Sequence, residues 1–139
     1  ESEPDKIWYA GGEVDLSKGL IRHIGIREKE GEEVDCETDY ITGCCMFVHS
    51  LTIKSLNGFD NQFGMYMEDV DLCMRAQKKG LDCYFLNSPL LYHNISGSIS
   101  VRSKILYTTY SYLKLSIKHS GICSLFNVPL FLIRRLLAI

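Results

Sequence analysis

The residues best placed to do chemistry in this 139-residue chain are three carboxylates, Glu68, Asp69 and Asp71. They lie in the stretch Phe63-Gly64-Met65-Tyr66-Met67-Glu68-Asp69-Val70-Asp71-Leu72-Cys73-Met74-Arg75-Ala76-Gln77-Lys78-Lys79-Gly80. Aromatic residues lead in, the acids follow, and an apolar run ends in bases. This order predicts a loop feeding a helix whose first turn carries the acids, where unpaired backbone N–H groups and the helix dipole keep carboxylates ionised. Lys78 and Lys79 suit the other end, and Gly80 supplies the left-handed residue that closes many helices. An ionised carboxylate at a fixed loop-to-helix junction can act as a base. Acids there are equally ordinary helix-start chemistry, and the stretch alone leaves both readings open.

The elements that must position this helix read as α/β. Ile7-Trp8-Tyr9-Ala10 suits a short strand entering a turn at Gly11-Gly12, with Trp8 serving core packing or a site. Residues 13 to 39 are polar and rich in Glu and Gly, apart from Leu20-Ile21-Arg22-His23-Ile24-Gly25, and read as surface loop with a small hairpin. Tyr40-Ile41-Thr42-Gly43-Cys44-Cys45-Met46-Phe47-Val48 is a β-prone run with two apolar faces, predicting a strand buried on both sides. Gly43 inside it marks a bulge, a close approach or a packing demand. Ser50 to Leu56 reads as a short helix capped by Ser50 or Thr52, and Asn57-Gly58-Phe59-Asp60 as a turn.

Beyond Gly80, Leu81 to Leu86 reads as a strand stopped at Asn87-Ser88-Pro89, Leu90 to His93 as a short extended segment, and Ser96-Gly97-Ser98 as a hinge. Leu106, Tyr110, Leu113 and Ile117 recur at helical spacing, predicting an amphipathic helix over about Val101 to Lys118 that ends at Gly121. The tail from Leu125 carries Pro129 near a helix start, then Leu130 to Ile133, Arg134-Arg135 and Leu136-Leu137. Strands and helices alternate without an internal repeat, so loops at strand ends are the natural carriers of chemistry.

Composition narrows the classes. An apolar fraction of 46% is ample for a core and argues against disorder. The net charge of −2 conceals a polarity: residues 1 to 39 hold twelve acids and five bases, whereas residues 100 to 139 hold six bases and no acid. That balance argues against nucleic-acid binding, while a basic, apolar tail suits an anionic membrane surface. The six cysteines form no CxxC pair and no zinc or disulfide spacing, so reduced, mostly buried thiols are expected, in the cytoplasm or at the cytosolic face of a membrane. The start Glu-Ser-Glu-Pro reads as an excised piece of a longer protein.

Six blocks in order then carry a resemblance across residues 7 to 100: Trp8-Tyr9-Ala10-Gly11-Gly12; His23-Ile24-Gly25; Asp39-Tyr40-Ile41-Thr42-Gly43; Gly58-Phe59-Asp60; Tyr66-Met67-Glu68-Asp69-Val70-Asp71-Leu72 with Arg75-Ala76; and Pro89 with His93. The series resembles the C-terminal half of inverting family 2 glycosyltransferases, especially the rhamnosyltransferase-like branch. The resemblance implies the acceptor-side part of a GT-A type domain over residues 1–100, a mixed sheet with flanking helices, followed by a helical extension over 101–139. It also implies transfer of a sugar from a nucleoside diphosphate-sugar to a saccharide or lipid-linked acceptor with inversion. By this likeness Asp69 would be the general base and Glu68 its supporting neighbour, with Trp8, Gly11, Gly12, Thr42, Gly43 and Tyr66 around the acceptor.

The same likeness would make His93 a ligand of a divalent metal (Mg or Mn) in the complete enzyme, with none bound in this piece alone, and Arg102 a diphosphate contact near Ser96 and Ser98. Asp71 reads instead as a partner for Arg75 at the i, i+4 spacing, and Asp69 and Asp71 point too far apart on a helix to share an ion. The chain departs from the pattern at Tyr110-Ser111, where relatives often carry Arg-Asn. It also lacks the nucleotide-binding half, so little transfer is expected from it alone. Cut sheet edges and an apolar tail give a competing expectation, a non-catalytic binding module that forms a homodimer.

Overall fold

The computed structural model of the chain describes residues 7–26, 34–87, 93 and 100–137. The expectations for Pro89, for 90–92 and for the 96–98 hinge lie outside those residues. Two strands, β1 (Gly12–Asp15) and β2 (Leu20–His23), form an antiparallel hairpin with Gly12 opposite His23 and Asp15 opposite Leu20. A 3-10 turn, Leu16–Lys18, joins them; Asp15 caps it by accepting from the Lys18 N–H, and Gly19 reverses the chain at φ +60°. Next come β3 (Cys36–Glu37), α1 (Ser50–Ser55), α2 (Glu68–Gln77) and β4 (Tyr84–Phe85). The chain closes with α3 (Val101–Ser120), a 3-10 stretch Ile122–Asn127 and α4 (Val128–Leu137). The expected mixture of α and β is present, but the described strands form two separate antiparallel pairs, β1–β2 and β3–β4, rather than one mixed sheet.

Three strand expectations need correction. Residues 40–48 are irregular: Tyr40 and Thr42 are buried, a turn follows at 43–45, and Phe47 is 79% exposed. β propensity makes a strand only where a neighbour completes the ladder, and no described strand lies beside this run. Side-chain anchors hold it instead, including the Ile41 N–H on Cys73 Sγ at 3.3 Å. The N-terminal strand starts at the second glycine of the pair, Gly12, rather than before the pair. Gly12 lies flat under the Tyr40 ring, where a Cβ would come within 2.1 Å of a ring carbon, so only glycine allows the hairpin to seat there. The strand expected over 81–86 shrinks to β4. Helix α1 is also capped differently, by His49 Nδ1 accepting from the Leu51 N–H at 3.2 Å.

The core gathers Leu16, Tyr40, Phe63, Val70, Cys73, Cys83, Tyr112, Leu115 and Phe131, so α3 and α4 contribute to the same cluster as the hairpin and α2. The rings of Tyr112 and Phe131 stack at 3.9 Å and 6°. Of the six cysteines, Cys73 and Cys83 are buried, whereas Cys36 and Cys44 are exposed, so burial of the thiols is only partial. Helix α3 also reverses the expected face. Leu106, Tyr110 and Ile117 point outward, and Thr108, Ser111, Tyr112, Leu115 and Ser116 point in. The small hydroxyl residues let α3 approach closely, and two of them satisfy their own polar atoms: Thr108 Oγ1 donates to Lys104 O at 2.8 Å, and Ser111 Oγ to Met65 O at 3.0 Å.

What α3 approaches is Asp71, whose side chain has no solvent exposure. Arg75 Nε meets Oδ2 at 2.8 Å, the i, i+4 pair expected from sequence, while Lys118 Nζ and His119 Nε2 from α3 meet Oδ1 at 2.7 and 2.8 Å. Arg75 also donates to the carbonyls of Leu56 and Gly58, and Lys118 to Asp60 at 2.6 Å. Burial alone would raise the Asp71 pKa. The hydrogen bonds from His119, Lys118 and Arg75 outweigh it and hold the carboxyl well below the usual range. A depressed carboxylate contributes stability above its unfolded pKa of about 4, and that contribution is lost as the pH falls toward the folded value. Asp71→Ala is expected to cost about 3 kcal/mol at pH 7, because it leaves the buried His119 and the partly buried Arg75 and Lys118 without their shared acceptor. Urea unfolding at pH 7 and pH 3 should show wild type losing part of its advantage over the variant in acid.

Candidate functional site

Two consecutive non-glycine residues, Tyr66 (φ 70°) and Met67 (φ 69°), take the left-handed conformation immediately before α2. Each costs about 1 kcal/mol or more, so neighbouring contacts must hold them. Ser111 donates to the Met65 carbonyl, the Lys114 ammonium to the Gln62 carbonyl, and the Asp71 N–H to Met67 O at 2.9 Å. The strained turn has no side-chain cap of its own, and it delivers Glu68 and Asp69 at the helix start.

There Asp69 Oδ2 accepts the Gly43 N–H at 2.9 Å, and Oδ1 accepts the Val70 N–H at 2.8 Å. Both contacts fix the carboxylate direction while it remains half-buried. A Cβ on Gly43 would sit 3.8 Å from Asp69 Cβ, an ordinary contact, so the approach of Asp69 does not itself require glycine. Glu68 differs from its neighbour. Its Oε2 is buried without a hydrogen-bond partner among the described residues, and burial raises its pKa above the usual value. Asp71 is removed from this pair in the buried network with Arg75 and α3.

A ring cluster forms the neighbouring wall. The Trp8 ring lies 4.4 Å from that of His93, tilted by 33°, and 4.7 Å from that of His23, edge-on at 88°. His23 Nδ1 is 3.4 Å from the Trp8 carbonyl, and Tyr9 and Tyr40 pack on the same imidazole at 5.3 and 5.9 Å. The Tyr9 hydroxyl donates to the Tyr40 carbonyl. Burial lowers the His23 pKa and raises those of Tyr9 and Tyr40; the charge on Asp69 acts on all three, which puts the carboxylate within electrostatic reach of this wall. His23, Tyr9 and Tyr40 are site neighbours to which residue types assigned no role. The available signal was their presence in the same blocks as Trp8, Gly25 and Gly43.

The remaining candidates divide. Thr42 is buried next to Gly43, and Gly11 (φ +109°) and Gly12 lie against Thr38, whose Oγ1 accepts the Gly12 N–H at 2.7 Å and donates to the Gly12 carbonyl at 2.9 Å. Packing therefore accounts for the glycine pair. Arg102 stands exposed in the first turn of α3 and makes no hydrogen bond or ion pair among the described residues; no described contact joins it to Asp69 or His93. His93 faces Trp8 with its ring, and no group of three metal-ligating side chains occurs among the described residues. These residues do not make a metal site by themselves.

A carboxylate held beside an aromatic wall suits proton removal from a hydroxyl, the chemistry of group transfer to an alcohol. Comparison with known proteins gives that class a particular form. The chain is 30% identical over 98 residues to an N-acetylglucosaminyl-diphospho-decaprenol L-rhamnosyltransferase of Mycobacterium tuberculosis, covering 68% of this chain and 32% of the relative, with the same figures in two strains. It is 34% identical over 58 residues to rhamnosyltransferase WbbL of Escherichia coli K12, covering 42% of this chain and 22% of the relative. These partial likenesses support a glycosyltransferase class. The chain spans about a third or less of the length of the curated relatives it matches. No family model and no solved structure matches it.

Because the folded state raises the Glu68 pKa, charging Glu68 costs stability at neutral pH, and the cost disappears in acid where the group is protonated in both states. Glu68→Gln is expected to stabilise the fold at pH 7 by less than about 1 kcal/mol. Thermal unfolding at pH 7 and pH 3.5, with a carboxyl NMR titration of Glu68, checks both the sign and the window.

Proposed function

We propose that this chain is the acceptor-side part of an inverting, GT-A type family 2 glycosyltransferase. It would work with a nucleotide-binding half to move a sugar, rhamnose or another hexose, from a nucleoside diphosphate-sugar to a saccharide or lipid-linked saccharide at the cytosolic face of a membrane. The observation that carries this reading is the Asp69 carboxylate, aimed by the Gly43 N–H at the start of α2 and within electrostatic reach of the ring wall at Tyr9, His23 and Tyr40. The rhamnosyltransferase likeness supplies the reaction class. Asp69 takes the proton of the acceptor hydroxyl as that oxygen bonds to the anomeric carbon, and the bond from that carbon to the diphosphate breaks on the opposite face. Glu68 orients the acceptor, Tyr66 and Trp8 wall its pocket, and Gly11, Gly12, Thr42 and Gly43 shape the floor. Arg102 contacts the diphosphate in the complete enzyme. A divalent ion there would take His93 as one ligand and draw its others from beyond the described residues.

One observation favours a second reading, a self-associating module. An open apolar groove of about 220 Å³ runs between residues 41–49 and α2, lined by Ile41, Met46, Phe47, Leu72 and Cys83 among others. In the first reading this groove receives the remainder of the enzyme. In the second it receives another copy, and light scattering would find a dimer.

In the longer polypeptide that contains this chain, Asp69→Asn is expected to lower turnover by about 10²- to 10⁴-fold while donor binding is unchanged. Unaltered turnover would remove Asp69 from its proposed role. The 139-residue chain alone is expected to transfer little or no sugar, and robust turnover by it would overturn the half-enzyme reading.

A further inference from the structure

The outer face of α4 is apolar and its orientation is set by the fold. Phe131 stacks on Tyr112 in the core, Asn127 Nδ2 donates to the Leu16 carbonyl at 3.2 Å, and the bare backbone of Gly19 meets the helix start, where a Cβ would come within 2.8 Å of Asn127 O. With that side turned inward, Leu130, Ile133 and Leu137 fall on the opposite side at helical spacing, and Phe126 continues the row from the preceding turn. Their exposures are 40%, 54%, 83% and 87%. Such a row, uncovered in a helix anchored at several points, is an interaction face.

The charge beside the row selects the partner. Arg134 is exposed and flanks it, and residues 100 to 139 carry six bases and no acid. A second copy seated on the row would bring two Arg134 side chains together with no acid from these helices between them, whereas a negative surface neutralises them. Ten residues of helix extend about 15 Å, half a bilayer core of about 30 Å. No helix among the described residues is long and apolar enough to cross a membrane, so α4 would lie in the plane of the interface.

We propose that the face of α4 bearing Phe126, Leu130, Ile133 and Leu137 docks on an anionic lipid bilayer, with its apolar side chains in the acyl boundary and Arg134 reaching the phosphate layer. This surface stands independently of the transferase reading. It assigns the contact to one helix face, and it would bring the Asp69 region to a membrane whatever reaction occurs there.

Flotation of the 139-residue chain with phosphatidylglycerol–phosphatidylcholine vesicles tests the proposal. Wild type is expected to float with these vesicles and much less with phosphatidylcholine alone. Phe126→Ser with Ile133→Ser is expected to lower the bound fraction by about tenfold or more, since two apolar side chains no longer leave water. Arg134→Gln is expected to weaken binding to anionic vesicles only and to reduce its salt dependence. All three positions are exposed, and circular dichroism with urea unfolding verifies that each variant retains the fold. Absence of binding to anionic vesicles, binding that survives the double substitution, or equal binding to neutral vesicles overturns the proposal. So does a dimer, seen by light scattering, that the double substitution abolishes while vesicle binding is absent.

Discussion

The buried carboxylate of Asp71 is the interaction on which the arrangement of this chain depends. It binds Arg75 on its own helix and Lys118 and His119 from α3, 47 and 48 residues further on. Through Arg75 it reaches the carbonyls of Leu56 and Gly58, and through Lys118 it reaches Asp60. One negative charge therefore organises α2, α3 and the turn between α1 and α2. Desolvating that charge is expensive, so the site is stable only with its hydrogen bonds complete. His119 fits this demand: its Nε2 donates to Asp71 from a side chain that is almost fully buried.

The same packing holds the strained entrance to α2. Left-handed Tyr66 and Met67 persist because α3 fastens the preceding carbonyls of Gln62 and Met65. Ser111 illustrates this: its hydroxyl donates to the Met65 carbonyl and braces the loop that carries the carboxylates. Strain at Tyr66-Met67, a Glu68 oxygen without a partner among the described residues and an Asp69 held by two backbone N–H groups occur within four residues. These local costs are met by distant contacts, since α3 supplies the groups that hold the loop.

The outward-facing apolar surfaces have a common origin. Helix α3 turns Thr108, Ser111 and Ser116 inward because small side chains allow close approach and Thr108 and Ser111 find polar partners, which leaves Leu106, Tyr110 and Ile117 outside. The run at 40–48 exposes Phe47 because no described strand completes its ladder. Apolar periodicity identifies a face that seeks burial, but it does not say which face this chain buries against itself.

Sequence alone determined the features whose causes are local. Acids at the start and bases at the end placed α2, Pro129 marked the start of α4, the Gly-rich segment held a hairpin, and i, i+4 spacing paired Asp71 with Arg75. These depend on a few neighbouring residues and elementary helix chemistry. Tertiary structure decided what depends on distant residues: that Tyr40 covers Gly12, that Gly43 rather than a helix cap aims Asp69, and that His23 joins the Trp8 wall. It also decided that α3 buries its hydroxyl face and brings Lys118 and His119 to Asp71. Those contacts join residues 15 to 48 positions apart, and their energies appear only once the chain has brought both partners together and removed water from between them.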